Sequence, residues 1–173
     1  MADLEKDWTT YPVFHIDFVG RSYNEIKDLY YRLENLVSEW EDLYGKSEAE
    51  LDLHERFKNL IKAAYDKTGK QVVILIDEYD KPLIDNIDHP EMRDFLSGLY
   101  GNLKSMDSYI RFGFLTGVSR FSHLNIFSAV NNLKDISFSE KYVSICGITR
   151  SEMLNNFDED IEAMEKAMSN IGK

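Results

Sequence analysis

Asp77 and Glu78 stand side by side where the unbroken aliphatic run Val72-Val73-Ile74-Leu75-Ile76 ends. One carboxylate can hold a divalent cation and its neighbour can orient or deprotonate water, which together are the needs of metal-assisted phosphoryl chemistry. A second polar group follows the apolar stretch YIRFGFL, residues 109–115: Thr116-Gly117, then Ser119-Arg120. Hydroxyls at Thr116 and Ser119 can contact phosphate oxygens, and the Arg120 guanidinium can offset their charge. Asp77 is thus the candidate metal ligand, through water, and Glu78 the candidate base. Thr116 and Ser119 are candidate phosphate contacts, and Arg120 is a candidate catalytic cation. Each residue also has a plainer use. An Asp-Glu pair past a strand makes turns and helix caps, Thr-Gly is an ordinary strand exit, and a surface Arg pairs with carboxylates for little energy. Asp17 reads more readily as a turn former than as a ligand.

The elements that must position these groups are legible from periodicity. A strand without polar alternation is buried on both faces, the place of an inner strand in a parallel sheet. Ligands of such sheets bind outside the carboxyl ends of the strands, where Asp17, Asp77-Glu78 and Thr116 fall. Residues 12–18 predict a first strand. Ser22-Tyr23-Asn24-Glu25 reads as a capping box. Ile26, Leu29, Tyr30, Leu33, Val37, Trp40 and Tyr44 then form one stripe on a long helix. Ser47-Glu48-Ala49-Glu50 reads as a second box, before a helix carrying Leu53, Phe57, Leu60, Ile61 and Ala64 and capped by Gly69. Residues 71–76 are the buried strand. A rigid loop around Lys81-Pro82 leads to a helix with Met92, Phe95, Leu96, Leu99, Tyr100 and Leu103, and residues 109–115 predict a third strand. Residues 121–130 predict a short helix, 133–138 a short fourth strand, and 142–148 either strand or loop. Thr149-Arg150-Ser151-Glu152 is a third capping box, opening a C-terminal helix that continues through the acidic residues 158–165. Strands alternating with helices give an α/β class with a mostly parallel sheet. The division is a core over residues 1–148 and a C-terminal helix over 149–173, which could begin a following helical region.

Composition narrows the function classes. A chain of 173 residues with 43% hydrophobic content has the length and apolar content for a packed core. The net charge of −11 opposes the phosphate neutralisation on which nonspecific nucleic-acid binding rests. Direct nucleic-acid binding by this chain is therefore not expected. The single cysteine, Cys146, permits no internal disulfide. No segment reaches the roughly 20 apolar residues of a membrane span, and residues 1–7 carry no signal-peptide core. The expected location is cytoplasmic. His15, His54, His89 and His123 show no metal-ligand spacing and read as structural. A metal-dependent phosphodiesterase built on Asp77, Glu78 and Asp80 is disfavoured, because neighbours on an extended segment point to opposite sides.

A phosphate loop needs G-x-x-x-x-G-K-[ST] between a strand and a helix. The chain contains Gly45-Lys46-Ser47, but Trp40 stands where the first glycine is required. The preceding residues read as helix, and Glu41, Asp42, Glu48 and Glu50 surround it with negative charge.

Several segments resemble an AAA-ATPase-like family frequent in Bacteroides-type bacteria and often fused to a PD-(D/E)XK nuclease-like domain. They are Trp8 with Tyr11-Pro12-Val13, VVILIDEYDKPLID at residues 72–85, RFGFLTGVSRFS at 111–122, IFSAVNNLKDIS at 126–137, and CGIT at 146–149 followed by Glu152. The resemblance implies a three-layer α/β fold of the P-loop NTPase (ASCE) type. It makes Asp77 and Glu78 the Walker B pair and places Thr116 near sensor 1. The cofactors implied for the parent domain are Mg²⁺ and ATP. Members carry a Gly-Lys-Ser loop ahead of the region around Trp8, so this chain resembles the family's domain without its first strand and phosphate loop. The expectation is the Walker B and sensor portion of an ATP-hydrolysing domain, inactive as this isolated chain and binding neither cofactor tightly. The alternative is a non-catalytic protein-interaction module on the same scaffold. In the usual strand order the missing strand lies between the strand ending at Thr116 and the one near 133–138. An open edge there predicts a homodimer or protein partner, or direct pairing of those two strands.

Overall fold

Among the described residues, strand β2 (Val72–Asp77) lies at the centre of a three-stranded sheet, with β1 (Val13–Asp17) on one side and β3 (Ile110–Leu115) on the other. Both pairings are parallel. The computed structural model describes residues 8–86, 89–118, 133–142, 144–145, 147 and 149–171. Helices α1 (Ile26–Tyr44) and α2 (Leu53–Thr68) connect β1 to β2. The one-turn helix α3 (Lys81–Ile84) and the longer α4 (Pro90–Ser105) connect β2 to β3. The chain divides into two units, residues 1–133 and 134–173. The first holds the sheet and these four helices. Among the described residues the second holds two α-helices, α5 (Arg150–Asn156) and α6 (Asp158–Ile171).

Register decides which residues make the core. Phe14 pairs with Ile74 and Ile16 with Ile76, so these four share one face with Val72. All five are sealed from solvent, and α1 and α2 cover them: the Phe14 ring lies 4.9 Å from Trp40 and 6.2 Å from Phe57. The other face carries Val13, His15, Val73, Leu75, Phe112 and Phe114. Val13 is 46% exposed and Phe112 53% exposed, and Val73 and Leu75 are only half-buried. The expectation that residues 72–76 are buried on both faces is thus corrected. Among the described residues, the second face has no helical layer equal to the first.

The predicted helical stripes bury largely as read. Leu29, Leu33, Val37 and Trp40 of α1 enter the core, as do all five expected residues of α2 and all but Phe95 of those expected in α4. The cap assignments shift. Helix α1 starts at Ile26, with the Asp28 carboxylate accepting the Glu25 amide at 3.0 Å, rather than from a box at Ser22. Helix α2 is capped by Asp52, which accepts the Glu55 amide at 2.9 Å. Ser47 only bonds the Ala49 amide in a local turn. In both helices an acid accepts an amide three residues away, and its charge also meets the positive end of the helix dipole. Gly69 ends α2 in the left-handed conformation, φ 67°, as expected.

Residues 133–138 form no strand. Asp135 accepts the Ser137 amide at 2.9 Å and Ile136 accepts that of Ser139 at 3.0 Å, so local turns take the groups a ladder would need. Direct pairing of this segment with β3 is therefore not found, and among the described residues the outer edge of β3 has no strand partner. The helix expected at 121–130 lies outside the described residues. Of 142–148, the described residues contain no strand, and Tyr142 closes a short 3₁₀ turn. In the second unit the Thr149–Glu152 capping box is present, but the expected single helix is two, with a break at Phe157.

One core contact was not legible beforehand. Glu41 on α1 is 5% exposed and receives Arg56 of α2 through two hydrogen bonds, 2.9 Å from Nε and 2.7 Å from Nη2. The same guanidinium also bonds Glu34 and Ser38. A planar cation with parallel donors is the group best suited to a buried carboxylate. Removing it leaves Glu41 charged and buried, so Arg56→Ala is expected to lower unfolding free energy by about 3–5 kcal/mol. Urea unfolding measures this, and a loss below about 1 kcal/mol, the worth of an exposed pair, would contradict the assignment.

Candidate functional site

The parallel register brings the strand ends to one edge. Asp17 is the partner of Asp77, and Ile76 that of Leu115. The ladder then runs past the strands: the Thr116 amide donates to Ile76 O at 2.9 Å, and the Tyr79 amide donates to Thr116 O at 2.9 Å. This places the Thr116 hydroxyl on the Asp77 carboxylate, donating to Oδ1. The same oxygen accepts the Glu78 amide at 3.1 Å. Among the described residues none bonds Asp77 Oδ2, and Asp77 is exposed. Asp77 and Thr116, read separately from two strand ends, are therefore in direct contact.

Glu78 carries the backbone strain of the site. It is the one non-glycine with positive φ among the described residues, at 50°. The left-handed conformation costs an L-residue about 1–2 kcal/mol, and such residues concentrate where function needs them. Here it turns the chain sharply out of β2, so that Tyr79 and Asp80 dive into the core while Glu78 stays half-exposed. Tyr100 of α4 donates its hydroxyl to Tyr79 O at 2.9 Å. Burial pushes this phenol well above its ordinary range, so it keeps the proton it donates.

The other candidates are placed as follows. Asp17 Oδ1 accepts the Val19 amide at 2.7 Å and forms a turn, as its plainer reading held. Lys81 pairs with Asp85 at 2.7 Å, which raises its ammonium above the ordinary value. Ser119 and Arg120 lie outside the described residues, as does His123. The His54 ring lies 4.5 Å from that of Phe95, tilted by 38°, and bonds the Phe95 carbonyl oxygen at 3.0 Å, and His89 meets Glu91 at 3.1 Å. Gly45-Lys46-Ser47 leaves the end of α1, not a strand, so it lacks the frame of a phosphate loop.

Among the described residues no group of three or more His, Cys, Asp or Glu is placed to hold a metal. Asp80, wholly buried, cannot join Asp77 and Glu78 in a phosphodiesterase centre. The donor set that remains is one exposed carboxylate with a hydroxyl upon it. This fits Mg²⁺, which keeps most of its waters and takes one or two carboxylates, and does not fit an all-protein cage. Two clefts of about 310 and 330 Å³ lie along α1, lined by residues such as Tyr30, Tyr31 and Tyr23. Neither is lined by Asp77, Glu78 or Thr116.

Sequence reading missed the roles of Asp80, Tyr100 and Gly117. A Cβ at Gly117 would stand 2.5 Å from Asp80 Oδ1 and 2.7 Å from the Tyr79 ring. The signal available was the Thr-Gly dipeptide itself, which marks a close approach rather than a turn.

Residues 1–127 match the AAA-ATPase-like family, described as predicted AAA-ATPase. The chain is also similar to the "uncharacterized protein in vnfD 5′region" of Azotobacter chroococcum mcd 1, with 36% identity over 165 residues. That alignment covers 92% of this chain and 32% of the relative, so the chain spans about a third of the relative's length. No solved structure matches the chain. Among the described residues no helix is long and apolar enough to cross a membrane.

The strain at residue 78 makes a prediction that is independent of activity. Glu78→Gly relieves the left-handed cost and adds only unfolded-chain entropy, so stability is expected to hold or rise by up to about 1 kcal/mol. Denaturant unfolding reads this, and a loss of more than about 1 kcal/mol would contradict strain at this position.

Proposed function

The chain belongs to the predicted AAA-ATPase family, and on that premise we propose that Asp77, Glu78 and Thr116 form the acidic half of a Mg²⁺–ATP site. The observation that carries this reading is the contact of the Thr116 hydroxyl with the Asp77 carboxylate at the carboxyl end of the central parallel strand. A structural turn would need the acid alone. A metal-holding carboxylate needs one oxygen fixed and the other turned to solvent, which this geometry supports.

Asp77 holds the cation through water, with Thr116 fixing its orientation. Glu78, one residue on and half-exposed, orients the attacking water and takes its proton. The cation that Asp77 would hold would supply charge neutralisation at the phosphate oxygens. Thr116 would also respond to the terminal phosphate. Ser119 and Arg120 follow directly in the chain, and their parts, a nucleotide contact and a charge-offsetting cation, belong to the same proposal.

Among the described residues this half-site consists of two carboxylates and a hydroxyl. The sequence contains no G-x-x-x-x-G-K-[ST], and two carboxylates facing a triphosphate without backbone N–H groups and a lysine repel it. In this reading Asp77 and Glu78 are the Walker B pair and Thr116 the sensor of the domain. The outer edge of β3 and the half-covered face holding Val13, Val73 and Phe112 are where a further strand and helix would complete the three-layer ASCE form. A strand from a partner or a second copy could take the same edge.

Titration calorimetry and phosphate release test the reading together. The 173-residue chain is expected to show neither micromolar Mg-ATP affinity nor turnover. In a natural chain carrying these residues together with a phosphate loop, Glu78→Gln should lower kcat by about 10²–10⁴-fold with KM little changed. Unchanged turnover in that variant would favour a non-catalytic interaction module instead.

A further inference from the structure

Asp80 is wholly buried. A carboxyl group removed from water needs hydrogen-bond partners to offset the loss. As the residue preceding α3 it stands at the helix cap, yet its side chain does not cap that helix. Its Oδ1 instead accepts the Val118 amide, 3.3 Å away, on the segment leaving β3. The same oxygen lies 2.5 Å from where a Cβ on Gly117 would be, and Asp80 Cγ lies 2.9 Å from it. Gly117 is not in the left-handed region, so the glycine is required for closeness and not for conformation.

Residues 116–118 are thus held at three successive points. The Thr116 amide is on Ile76 O, the Thr116 carbonyl is on the Tyr79 amide, and the Val118 amide is on Asp80. Tyr79, between the last two, is tied to α4 through Tyr100. The side chain these ties orient is Thr116, whose hydroxyl bonds Asp77. We propose that Asp80 is a positioning residue of the metal site: its buried carboxylate draws the exit of β3 against the exit of β2, through the gap that Gly117 leaves, and so fixes the hydroxyl that orients Asp77. The inference rests on the Mg²⁺ reading of Asp77, and it assigns Asp80 no contact with metal or nucleotide.

Manganese titration of the ¹⁵N-labelled chain tests it, since paramagnetic Mn²⁺ broadens nearby amide signals even when it binds weakly. In the wild type the Asp77, Glu78 and Thr116 amides should broaden first. Asp80→Ala and Gly117→Ala should each raise the Mn²⁺ concentration required by about 10–100-fold, the usual cost of losing a partner behind a metal ligand. Asp80→Asn keeps an oxygen for the Val118 amide and should stay close to the wild type, which separates positioning from charge. Gly117→Ala carries the test if Asp80→Ala does not fold. Wild-type broadening that persists at unchanged Mn²⁺ concentration in the Ala variants overturns the inference and leaves the metal reading standing. Absence of broadening at these amides in the wild type overturns the metal reading, and the inference with it.

Discussion

The Thr116 hydroxyl on the Asp77 carboxylate joins the ends of two parallel strands, and the chemistry available at this edge depends on that contact. A carboxylate at the end of a lone strand is a solvated charge with free rotation about χ1. Fixing one oxygen leaves the other with a defined direction, which a weakly held cation such as Mg²⁺ requires if it is to sit in one place. The contact exists because β2 and β3 are parallel and in a register that ends both together. The ladder bonds from Thr116 to Ile76 and from Tyr79 to Thr116 carry that alignment past the strands.

The rest of the first unit stabilises this alignment from one side. Phe14, Ile16, Val72, Ile74 and Ile76 are covered by α1 and α2, and those two helices are joined through the buried Arg56–Glu41 pair. Behind the site, Tyr100 and Asp80 hold the two exit loops from within the core. Among the described residues the opposite sheet face and the outer edge of β3 are less covered.

Much of this was legible in the sequence because it depends on periodicity. The run from Val72 to Ile76, the stripes of α1, α2 and α4, and the left-handed cap at Gly69 all follow from residue spacing and single-residue preferences. Tertiary competition was less legible. The segment 133–138 has the composition of a strand, but Asp135 satisfies a local amide, and nothing in the sequence weighs that turn against a ladder. The caps at Asp52 and Glu25 were misplaced because Ser-x-x-Glu patterns stood only a few residues upstream. Exposure of Val73 and Phe112 depends on what covers the second face, which an apolar run does not record. At the site, Asp77 and Thr116 were found as strand ends, but their contact depends on register. Asp80 looked like one more loop acid, and its burial is set by the left-handed turn at Glu78.

The most direct measurement is a structure of a natural chain carrying these residues and a phosphate loop, solved with Mg²⁺ and a non-hydrolysable ATP analogue. The account predicts the metal one water away from the Asp77 carboxylate, Thr116 still bonded to that carboxylate, and Glu78 facing the terminal phosphate. A nucleotide bound elsewhere, with Asp77 and Glu78 both remote from the metal, would contradict it.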